Sequence, residues 1–289
     1  MTTVPDRTPS RRHLDDFVRP FPALTAAQRL HFDLLGYVVL ENTLTAAEVA
    51  ELRAALLELE QRVHAGDVDG LEPAFFSGRS QQFFRADNLP HLAPCFFDYL
   101  THPYLVGCAE EVIGSEARLE QSDAHIRKPV ADGQGGYEFH RGWESPGKVA
   151  NGLYHCPFVK TLTNLTDLGP DDGGTAVIPG THRLGADVDV SEVIRAAMAD
   201  PRLVHQVVAP AGSTLLFAET LVHSNGIIRS GRERMLIIGG YTPPYFQPWT
   251  GYEPSPHLLE RLPQPYREFL DGTRNYAAHP RHRTRLSLP

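Results

Sequence analysis

Two histidines and one arginine that are far apart in the chain have the clearest chemical potential: His140, His223 and Arg234. Neutral imidazoles are common ligands of iron and other transition metals, and a guanidinium pairs with a carboxylate through two parallel hydrogen bonds. Taken singly they indicate little, because the chain has 14 histidines and few histidines in any protein bind a metal. The order and spacing of the surrounding segments are more specific than any single residue.

Four segments occur in sequence: Phe-His-Arg-Gly at 139–142, Gly-Gly-Thr-x-x-x-Pro-Gly-Thr-His at 173–182, then His223, then Arg234 eleven residues later. In this order they resemble the phytanoyl-CoA dioxygenase family of Fe(II)/2-oxoglutarate enzymes, and Phe-x-x-x-Gly-Tyr-Val-Val-Leu at 32–40 resembles that family's N-terminal segment. The resemblance covers nearly the whole chain. It implies a double-stranded β-helix of the jelly-roll kind, with Fe(II), 2-oxoglutarate and O2 as cofactor and cosubstrates.

The resemblance also implies roles for individual residues. His140 and His223 would bind the iron, leaving positions where 2-oxoglutarate chelates through two oxygens and O2 binds. Arg234 would pair with the distal carboxylate of 2-oxoglutarate, and its spacing from His223 favours it over Arg232. Asn225 falls where the family often has a small polar residue that orients the cosubstrate.

Gly142 departs from the family pattern, because the family normally has an aspartate ligand at this position, two residues after the first histidine. Residues i and i+2 point to the same side of a strand, so the expected carboxylate would face the same metal. Three explanations are open. The site has lost iron and activity; or Glu138 or Glu144 replaces the ligand and the enzyme is a hydroxylase; or the vacated position binds chloride.

We predict the third case. Fe(II) with doubly negative 2-oxoglutarate is neutral and can accept a halide at an open position, and glycine or alanine in place of the carboxylate marks the radical halogenases of this superfamily. In their chemistry, oxidative decarboxylation yields succinate and CO2, hydrogen is removed from an unactivated carbon, and the carbon radical takes chlorine. Chloride is therefore a predicted cofactor. A hydroxylase and a non-catalytic binding module are the alternatives.

The predicted substrate is a free small metabolite, with a nucleotide such as a deoxyadenosine monophosphate, chlorinated on its sugar, as the specific suggestion. Arg141, Lys128, Arg127 and a basic cluster at 281–285 could hold a phosphate, and Trp143 or one of four phenylalanines at 75, 76, 83 and 84 could stack on a base. Further candidates for substrate contact or support of the site are Glu144, His155 and His125, while His182 is predicted to be structural. No exposed amphipathic helix or strongly basic face suggests docking of a carrier protein.

Composition excludes several classes of protein. A formal net charge of −8 argues against a nucleic-acid polymer as partner, which a basic face would have to bind. No apolar run approaches the roughly 18 residues of a membrane span, and the first twenty residues lack the apolar core of a signal peptide, so we expect a cytoplasmic location. Three scattered cysteines predict free thiols rather than a disulfide framework.

The scaffold that must position these residues is predicted to be a mainly β fold with flanking α-helices. A tail at 1–20 precedes one domain at 21–289, in which a helical part (21–115), a β core (116–245) and a Pro-rich segment (246–289) follow one another. The helical part should contain a helix at 24–35 stopped by Gly36, a strand at 37–40, a helix begun by the Thr45 and Glu48 capping box, and a helix at 103–112 ending at Gly114. Strands are predicted near 119–127, 157–165, 175–178, 204–208, 214–217 and 235–241, with one inserted helix at 191–198.

Overall fold

The computed structural model describes residues 17–130, 136–144, 147–247, 249 and 251–272. The basic cluster at 281–285, which was suggested as a phosphate-binding segment, lies outside the described residues. The helices are α1 Ala26–Leu35, α2 Ala46–His64, α3 Pro94–Leu100, α4 Pro103–Ile113, α5 Val190–Ala199, α6 Pro256–Glu260 and α7 Gln264–Asp271. The strands are β1 Tyr37–Leu40, β2 Gly78–Arg79, β3 Phe83–Asp87, β4 Arg118–Arg127, β5 Lys148–Ala150, β6 Leu153–His155, β7 Val159–Asn164, β8 Ala176–Val177, β9 His205–Gln206, β10 Thr214–Ala218, β11 His223–Ser224 and β12 Arg234–Thr242.

Two β-sheets form the centre of the fold. The larger has seven strands in the order β1-β10-β7-β12-β4-β3-β2, and the smaller has three in the order β11-β8-β9. Alternate side chains of a strand point to opposite faces: on β12, Met235 and Ile237 join a core shared with the helices, whereas Leu236 and Ile238 pack with Val177 of the smaller sheet. The molecule is therefore mainly β with flanking helices and a jelly-roll core, as predicted.

The predicted start of the chain is confirmed in detail. Thr25 caps α1, and Gly36 ends it in the left-handed conformation with φ 84°. A Cβ at Gly36 would lie 2.5 Å from Cγ of His182, so the residue must be glycine for space as well as for conformation. The capping box of Thr45 and Glu48 begins α2, and Gly114 ends α4 with φ 79°.

Several short elements were not predicted. Strands β2 and β3 lie in the part expected to be mostly helical, yet both belong to the large sheet, as does the predicted strand β1. Strand β3 has the sequence Phe-Phe-Arg-Ala-Asp, and its charged residues mask the strand pattern because they face inward and form ion pairs there. The Pro-rich C-terminal segment contains α6 and α7, and α7 buries Tyr266, Phe269 and Leu270.

Two further observations bear on the predicted properties of the chain. In the part that the structure describes, no helix has the length and apolar character needed to cross a lipid bilayer. Cys95, Cys108 and Cys156 are free thiols, as the sequence predicted.

Candidate metal and cosubstrate site

The two histidines that the sequence singled out are direct neighbours. The backbone N–H of His140 donates to the carbonyl oxygen of His223 at 2.9 Å, and the reverse hydrogen bond measures 3.0 Å. This pairing adds His140 to the edge of the small sheet beside β11. The centroids of the two imidazole rings are 4.3 Å apart. Antiparallel pairing thus brings together two side chains that are 83 residues apart in the chain.

Hydrogen bonds orient both imidazoles for metal binding. Nδ1 of His140 lies 3.0 Å from the carbonyl oxygen of Glu138, and Nδ1 of His223 lies 2.8 Å from that of Leu221. A carbonyl oxygen only accepts, so each Nδ1 carries the proton and each Nε2 keeps its lone pair for a metal. Burial lowers the pKa of His223 to about 4, which keeps that ring neutral near pH 7. The donor set therefore suits Fe(II).

The space beside Gly142 is filled by a different carboxylate. A Cβ built on Gly142 would lie 2.6 Å from Cδ and 2.9 Å from Cγ of Glu219, and closer still to its Oε1. The backbone N–H groups of Gly142 and Trp143 both donate to the Glu219 carbonyl oxygen at 3.1 Å. The side chain of Glu219 is 1% exposed. Glu219 was not predicted from the sequence as a substitute acid. The two acids that were considered, Glu138 and Glu144, are exposed.

Lys160 holds this carboxylate. Its Nζ lies 2.8 Å from Oε1 of Glu219, because the antiparallel register of β7 and β10 sets Lys160 opposite Phe217, two residues before Glu219. The other carboxylate oxygen, Oε2, is buried and has no hydrogen-bond partner among the described residues. Within the same residues, no group of three or more His, Cys, Asp or Glu side chains is arranged to hold a metal ion. As it lies, Glu219 therefore pairs with Lys160 and does not complete a triad with the two histidines.

Among the described residues, Arg234 is a buried cation without an anionic partner. It is 1% exposed; Nη1 donates to the Gly173 carbonyl at 2.7 Å and Nη2 to Oγ1 of Thr175 at 2.9 Å. Its Nε has no partner, and no carboxylate of the described residues forms an ion pair with it. Burial lowers the pKa of Arg234 to about 9. An unpaired buried charge is costly, so this guanidinium fits an anionic ligand such as the distal carboxylate of 2-oxoglutarate.

The neighbouring Arg232 differs from Arg234 both in its exposure and in having an acidic partner. Its side chain is 62% exposed and pairs with Asp172, so it is already satisfied outside the site. The structure thus favours Arg234 over Arg232, as the spacing did. The Gly-Gly-Thr stretch supplies the two acceptors that hold Arg234, which gives that segment a defined role in the site.

The remaining candidate residues divide into two groups. Three follow His140 directly: Arg141 donates to the carbonyls of Leu184 and Gly185, Trp143 is half-buried, and Glu144 is exposed. Trp143 packs against the ring of Phe246, with centroids 5.8 Å apart, and its Nε1 is buried with no partner among the described residues.

The other candidates are directed elsewhere or are exposed. Nζ of Lys128 pairs with Glu60 of α2 at 2.7 Å, and Nδ1 of His155 hydrogen-bonds the Val112 carbonyl of α4 at 3.1 Å. Asn225 is exposed. Its buried neighbour Ser224 instead accepts a hydrogen bond from the backbone N–H of Glu138 at 2.8 Å, and so fastens the segment that carries His140.

Comparisons with known proteins identify the family of the chain. The family model described as phytanoyl-CoA dioxygenase (PhyH) matches residues 32–236. An ectoine dioxygenase of Nocardia farcinica is 27% identical over 229 residues, covering 72% of this chain and 74% of the relative. That of Sphingopyxis alaskensis is 26% identical over 294 residues, covering 90% and 94%. HygX of Streptomyces hygroscopicus, solved with nickel and 2-oxoglutarate bound, superposes with a TM-score of 0.63 at 23% identity, covering 78% of this chain and 90% of HygX.

Proposed function

The chain belongs to the phytanoyl-CoA dioxygenase family of Fe(II)/2-oxoglutarate-dependent oxygenases, and we propose that it is a halogenase acting on a free small molecule. One observation carries the proposal, namely the composition of the site. His140 and His223 have Nε2 atoms free for a metal, position 142 has no side chain, and the nearby carboxylate of Glu219 is bound to Lys160. Such a site provides no carboxylate ligand from position 142, so a halide can bind the metal there once the side chain of Glu219, which fills the space next to Gly142, gives way to it.

Each residue has a defined task in this proposal. His140 and His223 would hold the iron through Nε2, and Arg234 would hold the distal carboxylate of 2-oxoglutarate. When bound, iron, 2-oxoglutarate and O2 would supply the oxidising power to remove hydrogen from an unactivated carbon, with conversion of 2-oxoglutarate to succinate and CO2. Lys160 neutralises Glu219, which reduces the repulsion that a bare buried carboxylate would exert on a halide beside Gly142.

The residues next to Gly142 suggest the type of substrate. The ring of Trp143 lies among Phe158 and Phe246, with centroids 6.3 and 5.8 Å away, and Arg141 has a buried Nε that lacks a partner among the described residues. An aromatic surface and a guanidinium suit a planar base and a phosphate. A nucleotide such as deoxyadenosine monophosphate is therefore the first substrate to test. Lys128 no longer supports this suggestion, because Glu60 holds its ammonium group.

A second candidate function rests on the free oxygen of Glu219. Its Oε2 is buried without a partner among the described residues, and the carboxylate is close enough to His223 to affect the pKa of that ring. If Glu219 turned from Lys160 to the metal, it would restore a two-histidine, one-carboxylate site. The chain would then be a hydroxylase with a displaced ligand.

Incubation of the enzyme with Fe(II), 2-oxoglutarate, O2, excess chloride and candidate nucleotides distinguishes the two functions. A product with the chlorine isotope pattern in its mass spectrum supports the halogenase, whereas hydroxylation alone in excess chloride refutes it. Before this assay, anaerobic addition of Fe(II) and 2-oxoglutarate should give the weak visible charge-transfer band of a chelated keto acid. Absence of that band would refute both functions and favour a non-catalytic binding module.

The variant Glu219→Gln provides an independent readout in the affinity for Fe(II). In a halogenase it should keep Fe(II) affinity within a few-fold, because Glu219 is not a ligand. In the hydroxylase, Fe(II) affinity should fall more than tenfold. Glu138→Gln is the matched control, because Glu138 is also an acid near the histidines but has an exposed side chain.

A further inference from the structure

A buried histidine inside the molecule, His125, has no role in the site described so far. We propose that His125 is a second binding residue for the distal carboxylate of 2-oxoglutarate, acting together with Arg234. The inference rests on the proposed cosubstrate site and adds one protein group to it.

The alternation of side chains along β4 places His125 on the inner face of the large sheet, which is the face that packs against the smaller sheet. Its chain neighbours Ala124 and Ile126 on β4 belong to the core shared with the helices, so the side chain of His125 points to the opposite face. Its cross-strand partner on β12 is Leu236, which packs in the inner core. His125 therefore faces the space between the two sheets.

Both ring nitrogens of His125 lack a hydrogen-bond partner among the described residues, and both are inaccessible. A buried polar group without a partner is expensive, and such groups point to a missing ligand or water. The ring contacts Phe83 edge-on, with centroids 5.4 Å apart. That contact packs the ring but satisfies neither nitrogen.

The charged groups around His125 show what kind of ligand could fit. Arg85 of β3, Arg127 of β4 and Arg234 of β12 all act on the ring, against one acid, Asp87. Arg85 is compensated by its ion pairs with Asp87 and Asp123, whereas Arg234 has no such pair in the described chain. Burial, aided by Arg85 and Arg234, lowers the pKa of His125 to about 3, so the neutral ring has one N–H to donate and adds no further charge.

The register brings the two unsatisfied groups to neighbouring positions. Arg234 lies opposite Arg127, and Leu236 lies opposite His125, so Arg234 and His125 are diagonal neighbours on the same face of adjacent strands. Diagonal pairs are about 7–8 Å apart at the backbone, within reach of long side chains. A carboxylate has two oxygens with about four acceptor positions. It can take the free Nε–H of Arg234 on one oxygen and the imidazole N–H on the other.

The test measures 2-oxoglutarate binding to the Fe(II)-loaded protein by anaerobic calorimetry and by the charge-transfer band. His125→Leu removes the donor, and we expect the Kd to rise about ten- to a hundredfold, the usual effect of losing a hydrogen bond to a charged group. His125→Gln keeps an amide donor and should stay closer to wild type. His64→Leu is the matched control. His64 packs edge-on against Phe84 of β3, much as His125 packs against Phe83, but Phe84 faces the core shared with the helices and not the space between the sheets.

A second ligand separates binding from packing. 2-Oxovalerate has the keto acid but no distal carboxylate, so His125→Leu should leave its Kd unchanged while the Kd of 2-oxoglutarate rises. A folded His125→Leu protein that binds 2-oxoglutarate as wild type does would overturn the inference, as would equal weakening of both keto acids. If His125→Leu does not fold, the same comparison is made with His125→Met. Wild-type protein that binds neither keto acid would instead refute the proposed cosubstrate site itself.

Discussion

Restoring an aspartate at position 142 should not by itself rebuild the usual metal site, because Glu219 is in the way. A Cβ at 142 would sit 2.6 Å from Cδ of Glu219, so Gly142→Asp must displace that side chain. Overpacking of this kind costs about 1–3 kcal/mol. Two carboxylates about 4 Å apart repel by about 4 kcal/mol at an effective dielectric constant of ~20, and Lys160 offsets part of this. We expect Gly142→Asp to lower the free energy of unfolding by about 2–4 kcal/mol.

The double variant Gly142→Asp/Glu219→Ala should recover most of that loss. Removing Glu219 alone leaves Lys160, whose side chain is only 12% exposed, without its anion. In the double variant, the aspartate introduced at position 142 can take over as that anion. The two changes should therefore be strongly non-additive, with a coupling of at least about 2 kcal/mol.

The assay is urea denaturation of the four proteins of this double-mutant cycle, followed by product analysis of the folded ones. When Fe(II) is added, the aspartate can exchange Lys160 for the metal, so the double variant should bind Fe(II) more tightly than wild type. If the proposed halogenase function holds, the double variant should also lose chlorination and permit hydroxylation. Additive changes in unfolding free energy, within about 0.5 kcal/mol, would show that the carboxylate of Glu219 does not share space with residue 142, and would refute the reasoning.

Two further predictions follow from the buried charges. Arg234→Lys should raise the Kd of 2-oxoglutarate about ten- to a hundredfold, because a lysine ammonium cannot keep the contacts to Gly173 and Thr175 and also replace the free Nε–H that faces the carboxylate. Arg232→Lys should leave the Kd within about threefold. Anaerobic titration measures both, and equal effects would contradict the assignment. Burial raises the pKa of Asp123 to about 6, so the folded state binds the proton of this carboxyl group more tightly than the unfolded state does. The resulting stabilisation of the folded state is complete below about pH 4 and is lost as pH rises through about 6. Asp123→Asn should flatten this loss, by up to about 3 kcal/mol, in urea denaturation at several pH values; an unchanged pH profile would count against it.

Local signals in the sequence were sufficient for much of the scaffold. The capping box of Thr45 and Glu48 and the glycines at 36 and 114 act within one turn of helix, so their sequence spacing determines the geometry. The neighbouring positions of His140 and His223 were predictable for a different reason. The order of four segments resembles a known family, and that resemblance implies which distant residues meet in the fold. The helix signals are confirmed and the two histidines are neighbours, while their role as metal ligands stays a prediction.

Features that depend on long-range partners were not predictable. Strand β3 is buried because Arg85 reaches Asp123 on β4, and Tyr252 of the C-terminal segment donates to the same carboxylate at 2.7 Å. No spacing rule connects residues 85, 123 and 252. No strand was therefore predicted for this charged segment, although in the folded chain its charges are compensated inside the sheet.

Glu219 shows what such partners mean for function. Alternation along β7 could have placed Lys160 on the inner face, with Leu162 and Asn164, but only the pairing with β10 reveals that its ammonium meets Glu219. This pairing gives Gly142 a second reason to be glycine, since any side chain there collides with a carboxylate. With Glu219 held in this position by Lys160, packing favours glycine at the ligand position in addition to any halide chemistry. The chemical outcome then depends on Lys160, because the strength of its hold on Glu219 decides whether that carboxylate or an external anion occupies the position next to the metal.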